Sequence, residues 1–245
     1  MMKRKPIPMN RSGGFSLVEM MISLVLGLMV LGAVTAMYLG SSQSTQFQAS
    51  VQRMEENGRI AIDILSRNLR MAGYDYPLNT FEVDQPLVQG TTGPSGALLA
   101  LSDLKDAVDT IGIRYEGGNM IRDCLGAPVL EGAYVTNLYG ISTDGDLVCG
   151  TTTSNARALV EGVEDMQLRY GIDLDGSGFA NRYVDAGNVA DWSQVVTVEI
   201  SLLVSSINDP LPSIDTVCLG CTVFAGVADR KIRSEFQTVI GVRNL

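Results

Sequence analysis

The sequence predicts an α+β fold in which one long N-terminal helix packs on an antiparallel β-sheet. Three observations lead to this prediction. A helical pattern runs from residue 15 to about residue 72, several later segments alternate apolar and polar residues, and no second long helical pattern separates those segments. Strands that follow one another without intervening helices favour antiparallel pairing over β-α-β units.

The predicted helix begins with an apolar segment, residues 15–40, that is long enough to cross a bilayer. The leader before it, residues 1–14, carries four basic residues and no acidic one (Lys3, Arg4, Lys5 and Arg11). The positive-inside rule therefore predicts a cytoplasmic leader and an exported chain after residue 40. Glu19 is the only charged residue of the apolar segment, and a charge inside a span costs about 2.5–3.5 kcal/mol on insertion scales.

Glycines precede the apolar segment, whereas a secretory signal has its cleavage site after the apolar core. Cleavage after Gly14 would leave the span on the mature chain, with a free α-amine on Phe15. Glu19 would then lie one helical turn from that amine and could neutralise the ammonium group of a neighbouring subunit in a low-dielectric environment. The alternative is a simple anchor in which the Glu19 carboxylate reaches the membrane interface.

Residues 41–73 continue the helix as an amphipathic segment that ends near Gly73. Apolar or small residues recur at three- and four-residue steps on one face (Phe47, Val51, Met54, Gly58, Ala61, Ile62, Leu65, Leu69 and Ala72). The stripe is short and a strand-rich region follows it. We therefore expect it to pack on the sheet of its own chain and not in a coiled-coil dimer.

Residues 74–245 are predicted to form a β-rich domain. Period-two alternation predicts strands over residues 111–115, 166–172, 196–204 and 236–242, and turn residues such as Asp144-Gly145 and Asp175-Gly176 bound them. Residues 74–107 resemble a loop with one strand near residues 97–101.

Composition limits the classes of function. The net charge is −9, and removal of the four leader cations gives 14 basic against 27 acidic residues, or −13. An acidic exported domain is a poor binder of nucleic acid, so no nucleic-acid partner is expected. The chain has no histidine, which excludes Ser-His and Cys-His dyads and histidine-bound zinc. We expect no enzymatic activity.

The order of leader, Gly14-Phe15-Ser16-Leu17-Val18-Glu19 and apolar helix resembles the signal of type IV pilins and type II secretion pseudopilins. The resemblance implies cleavage after Gly14 by a prepilin peptidase, N-methylation of Phe15, and a role for Glu19 in entry into a helical filament. Major pilins usually have a proline about twenty residues into the mature helix. Ala36 stands at that position here, which favours a minor component.

Several segments resemble the PilW family of minor pilins, which is related to the pseudopilin GspJ: residues 59–73, residues 159–171, the Asp-Gly turn after them and residues 192–205. The resemblance implies a subunit held in the inner membrane with its β-rich domain in the periplasm, and later part of a pilus on the cell surface. It implies roles in pilus initiation, assembly and tip formation, with other minor pilins, the major pilin and a tip adhesin as partners. A secretion pseudopilin and a membrane-anchored binding domain that never polymerises are the alternatives.

All four cysteines lie on the exported side, where disulfides are favoured. Four cysteines permit three pairings, of which Cys124–Cys149 with Cys218–Cys221 is the favoured one. The first disulfide closes a loop of 25 residues, which is worth on the order of 3 kcal/mol in the chain-entropy model. A redox dithiol or a zinc site at Cys218 and Cys221 is disfavoured, because the flanking residues lack a strand–helix pattern and a second CxxC.

No cofactor is expected, with one weak candidate for calcium. Asp173, Asp175 and Ser177 place oxygen ligands at alternate positions, as the opening of a calcium loop does. The bidentate glutamate of an EF-hand would fall at Val184, and Asp185 follows one residue later. An Asp-Gly turn between strands is the favoured interpretation.

Overall fold

A computed structural model describes residues 14, 16–74, 88–91, 108–152, 155–211, 213–214, 216–219 and 228–242. Of residues 88–91, 217 and 218 it describes only the backbone. The leader up to residue 13, Phe15, Cys221 and the strand predicted near residues 97–101 lie outside the described residues.

The long helix predicted from the sequence is confirmed. Helix α1 spans Leu17–Met71, 55 residues, and Gly73 follows it with a φ of 74°, in the left-handed region that ends many helices. The chain divides into two compact units, one ending at Gln46 and one beginning at Phe47. We call residues 47–245 the head.

The head contains two five-stranded sheets in the described part of the chain. The first sheet has the order β1-β2-β3-β4-β5 and is antiparallel throughout; its strands are Val88–Thr91, Thr110–Glu116, Tyr134–Ile141, Asp146–Gly150 and Arg157–Glu161. The second has the order β7-β6-β8-β10-β9; its strands, in chain order, are Val163–Ile172, Arg182–Val184, Val195–Ser205, Val217–Leu219 and Ile232–Gly241. Short 3₁₀ turns cover Ala186–Asn188 and Trp192–Gln194.

The α+β class and the antiparallel pairing are thus confirmed, with two additions. The strands form two sheets and not one, and β9 pairs with β10 in parallel. All four predicted strands are present, as β2, β6, β8 and β10. Asp144-Gly145 forms the turn between β3 and β4, in which Gly145 has a φ of 81°.

The helix packs on the sheets of its own chain, as predicted. Its buried residues in the head are Ser50, Met54, Gly58, Ala61, Leu65 and Leu69. Five of them lie on the predicted stripe, whereas Phe47 is exposed and Val51 and Ile62 are half-buried. One cluster of buried apolar side chains joins α1 to residues of both sheets, so the helix and the two sheets share a core.

Candidate functional site

The N-terminal part of α1 is the candidate site for assembly. Gly14 and Ser16 precede the helix, Phe15 between them lies outside the described residues, and Glu19 lies in the first helical turn. Glu19 is exposed, and its backbone carbonyl accepts a hydrogen bond from Ser23 Oγ at 2.7 Å. The processing site and the role of Glu19 stay predictions.

The large apolar side chains of this helical segment are unusually exposed. Their exposed fractions run from 52% at Val25 to 79% at Leu17 and Met37. Between Leu17 and Gln46, Glu19 is the only charged residue. By length and composition this helix can cross a membrane, and no residue of its most apolar stretch is buried. Such a surface is unstable in water and requires lipid or other helices around it.

Small residues interrupt the apolar surface of the segment. An added Cβ at Gly27 or Gly32 would meet no atom within 4 Å, so the backbone is open to a neighbour at both positions. Together with Ala33 and Ala36, these glycines allow helices to approach closely, because small side chains let backbones come near each other.

The predicted disulfide Cys124–Cys149 is confirmed, with 6.3 Å between the two Cα atoms. It ties the loop between β2 and β3 to the buried strand β4. The partner disulfide predicted between Cys218 and Cys221 involves side chains outside the described residues, and it stays a prediction.

Buried Asn137 on β3 fixes the same loop to the helix. Its Oδ1 accepts a hydrogen bond from the Cys124 backbone N–H at 3.2 Å. Its Nδ2 donates to the hydroxyl of Tyr115 at 2.8 Å and to Asn68 Oδ1 of α1 at 3.4 Å. The Tyr115 hydroxyl in turn donates to the backbone carbonyl of Arg122 at 3.0 Å. The loop is therefore held by a covalent bond and by a hydrogen-bonded network.

The calcium candidates lie in the loop after β6. The Asp173 carboxylate accepts hydrogen bonds from four successive backbone N–H groups, those of residues 175–178. Asp175 accepts from the Ser177 N–H and from Asn181 Nδ2, and hydrogen bonds, first from Ser177, lower the pKa of Asp175 to about 2. These contacts order an Asp-Gly turn.

Among the described residues, no three acidic or cysteine side chains are grouped to hold a metal ion. Calcium binding stays a prediction. A melting temperature that changes neither with added calcium nor with a chelator would contradict it.

An ion-pair cluster on β10 was not expected from the sequence. The side chain of Arg233 is 4% exposed, and its guanidinium pairs with Glu164 at 2.7 Å and with Asp229 at 2.6 Å. Lys231 lies 3.5 Å from Glu164. Burial acts to raise the pKa of Glu164, but hydrogen bonds and charge from Arg233 outweigh it and lower that pKa. Hydrogen bonds from Arg233 also lower the pKa of Asp229, to about 2.

The cluster lines a cleft of about 470 Å³ where the turn between β3 and β4 faces β6. The cleft is also lined by Asp144 of that turn and by Asp146 and Glu161 of the first sheet. In the sequence, Arg233 and Asn137 are each a polar residue beside strand-forming apolar residues. This pattern does not show whether the side chain is buried or which residue it contacts.

Two family models match parts of this chain. The model of the family described as Type IV Pilus-assembly protein W matches residues 130–244, and the Prokaryotic N-terminal methylation motif matches residues 9–35. No curated protein sequence matches the chain. A solved structure, a type IV-like pilin from Thermus thermophilus, is similar over 79% of this chain and 98% of its own, with 15% identity and a TM-score of 0.48.

The methylation motif extends into the exposed apolar part of α1, and the later part of α1 packs on the two sheets of the head. These features define a type IV pilin-like protein. The match over 130–244 covers all the strands from β3 to β10. The chain is thus a type IV pilin-like protein with a PilW domain over residues 130–244.

Proposed function

We propose that this protein is a minor pilin that takes part in the initiation, assembly and tip formation of a type IV pilus. The observation that carries the proposal is the exposed apolar half of α1 with Glu19 as its only charge. The match of residues 130–244 to the PilW family model supports the same function.

The proposed sequence of events begins with cleavage after Gly14 by a prepilin peptidase and N-methylation of Phe15. The apolar half of α1 then keeps the subunit in the inner membrane, with the head in the periplasm. On entry into the filament, the Glu19 carboxylate pairs with the terminal ammonium of a neighbouring subunit. That pairing offsets the cost of a lone charge among apolar helices.

The head supplies the contacts to other minor pilins, the major pilin and a tip adhesin. Its loop between β2 and β3, held by the Cys124–Cys149 disulfide and by Asn137, is a pre-ordered surface for such contacts. The function is structural, and the work of extraction from the membrane belongs to separate motor proteins.

A charge-removing variant at Glu19 tests the proposal. Glu19→Gln keeps the side chain's shape and removes its charge, whereas Glu56→Gln makes the same change at an exposed position of α1 within the head. We expect Glu19→Gln to be processed and to remain in the membrane. Its recovery in sheared fibres should fall by about tenfold or more, which corresponds to a loss of about 1.4 kcal/mol in assembly. Glu56→Gln should enter fibres normally.

Other outcomes separate the alternatives. Incorporation of Glu19→Gln at wild-type levels would contradict the role of the carboxylate. Absence of the wild-type protein from fibres would indicate a membrane-anchored domain that does not polymerise. A deletion strain that keeps its pili but fails to secrete proteins would indicate a secretion pseudopilin. Mass spectrometry of the mature chain should find N-methylated Phe15 as its first residue.

A further inference from the structure

One aspartate forms strand-like hydrogen bonds along an edge of β6. Within the described part of the chain, β6 pairs with β8 along one edge, and along the other it pairs with β7 only over residues 170–172. Asp109, immediately before β2, lies against that second edge. Its backbone N–H donates to the Met166 carbonyl at 3.1 Å, and its Oδ2 accepts from the Leu168 N–H at 2.8 Å. Asp109 thus forms the two hydrogen bonds that a paired strand would form, and it joins the first sheet to the second.

The carboxyl group of Asp109 lies in surroundings that disfavour its charge. Asp109 is only 5% exposed, and no ion pair in the described part of the chain includes it. The charges that reach it are carboxylates, Asp165 on β6 and Asp185 before the turn at Ala186–Asn188. Tyr170 of β6 is fully buried, and the Asp109 charge adds to the burial that raises the pKa of its hydroxyl.

Burial is the largest influence on Asp109 and raises its pKa from 3.8 to about 6. The hydrogen bond from Leu168 acts in the opposite direction, and the charges of Asp185 and Asp165 act in the same direction as burial.

We propose that Asp109 is a pH-dependent link between the two sheets, which makes the folded head more stable at mildly acidic pH than at neutral pH. The protonated carboxyl keeps a carbonyl oxygen for the Leu168 N–H and leaves no uncompensated charge in the interior. A group whose pKa is higher in the folded state stabilises the fold fully below its unfolded pKa. That stabilisation is lost as the pH rises through the folded value. The inference concerns the head alone, so it does not depend on the proposed role in pilus assembly.

The test compares urea unfolding of the full-length protein in detergent with that of Asp109→Asn, from about pH 4 to about pH 7.5. Fluorescence of Trp192, the single tryptophan, reports unfolding of the head. The asparagine is neutral at every pH, and its Oδ1 can still accept from Leu168. From the pKa shift of 3.8 to about 6, the folding constant of the wild type should fall roughly a hundredfold relative to the variant across this range. Asp209→Asn, at an exposed position, is the control and should show no such trend.

A wild-type-to-variant ratio that stays constant across the pH range would overturn the proposal, whatever the absolute stability of the variant. If Asp109→Asn does not fold, hydrogen exchange of the Leu168 amide in the wild type tests the proposal instead. After correction for the intrinsic exchange rate, its protection factor should fall as the pH rises through about 6. A protection factor independent of pH would exclude this pH-dependent link.

Discussion

Gly58 lies where α1 contacts β10, and we expect a methyl group there to destabilise the head. The residue is buried, and a Cβ added to it would lie 2.5 Å from Cζ and 2.6 Å from Cδ2 of the Phe236 ring. Non-bonded carbons pack at about 3.5–4.0 Å, so the ring or the helix would have to move by about 1 Å. The shared core of α1 and both sheets leaves little room for that movement.

Two opposing effects determine the size of the change at Gly58. Alanine is better than glycine in a helix interior by about 1 kcal/mol. Overpacking a well-packed core costs about 1–3 kcal/mol. Phe236 is half-buried and can give way in part, so we expect an overpacking cost of about 2 kcal/mol. After the gain of about 1 kcal/mol in helix propensity, Gly58→Ala should lower the free energy of unfolding by about 1 kcal/mol.

The assay is urea unfolding of the full-length protein in detergent, followed by the fluorescence of Trp192. This side chain packs edge-on against the ring of buried Tyr170, with 4.9 Å between ring centroids, so it reports the head. Gly58→Ala should be made in the wild type and in Phe236→Leu, which lacks the outer ring atoms. In the second background the substitution should stabilise by up to about 1 kcal/mol, because only the helix propensity remains.

The sign change between backgrounds is the decisive result. It corresponds to a coupling of about 2 kcal/mol, within the range found for residues in contact. Gly40→Ala is the matched control, since a Cβ at Gly40 meets no atom within 4 Å, and it should leave the unfolding of the head unchanged. Equal losses in the two backgrounds would refute the packing argument.

Two further predictions concern the bonds that hold the head together. The double variant Cys124→Ser with Cys149→Ser should lose on the order of 3 kcal/mol in urea unfolding, since it frees a loop of 25 residues; a loss below about 1 kcal/mol would contradict a stabilising role. Arg233→Met should cost about 3 kcal/mol at neutral pH because it leaves the half-buried Glu164 carboxylate and the Asp229 carboxylate without the guanidinium. Hydrogen bonds and charge from Arg233 lower the pKa of both acids. Their stabilisation is therefore present above their unfolded pKa values, 4.5 for Glu164 and 3.8 for Asp229, and is lost as the pH falls through the folded values, which is about 2 for Asp229. The deficit of the variant should therefore shrink in acid, and a deficit independent of pH would be inconsistent with the ion pairs.

The elements that the sequence predicts correctly are those with a strong local signal. Strand β8 alternates apolar and polar residues over most of its length, and β6 does so over residues 166–172. Helix α1 has a continuous stripe whose period matches its buried residues. The pairing of Cys124 with Cys149 was favoured among the three pairings and is confirmed.

The arrangement of strands depends on contacts that no local pattern contains. Strand β3 is buried at each of its last five positions and does not alternate, because both of its faces are covered there. Tyr139 and Ile141 join the main core, whereas Leu138 packs with Val148 in a second, smaller cluster. Strand β5 has only one buried residue, so its sequence gives little signal. The division into two sheets and the parallel pairing of β9 with β10 follow from pairing partners far apart in the chain.

Buried polar residues are the hardest part of the head to predict, and they are also the residues that connect its layers. Asp109 bonds to Leu168 at a separation of 59 residues, Arg233 to Glu164 at 69, and Asn137 to Asn68 at 69. A polar residue in a strand has the same local signal whether it faces water or a buried partner, because the pattern records only its own polarity. Its burial becomes favourable only when the distant partner satisfies it, since a buried polar group without a hydrogen bond costs several kcal/mol. For this reason the apolar stripe of α1 can be predicted from sequence, whereas Asp109, which joins the two sheets, is identified only in the folded chain.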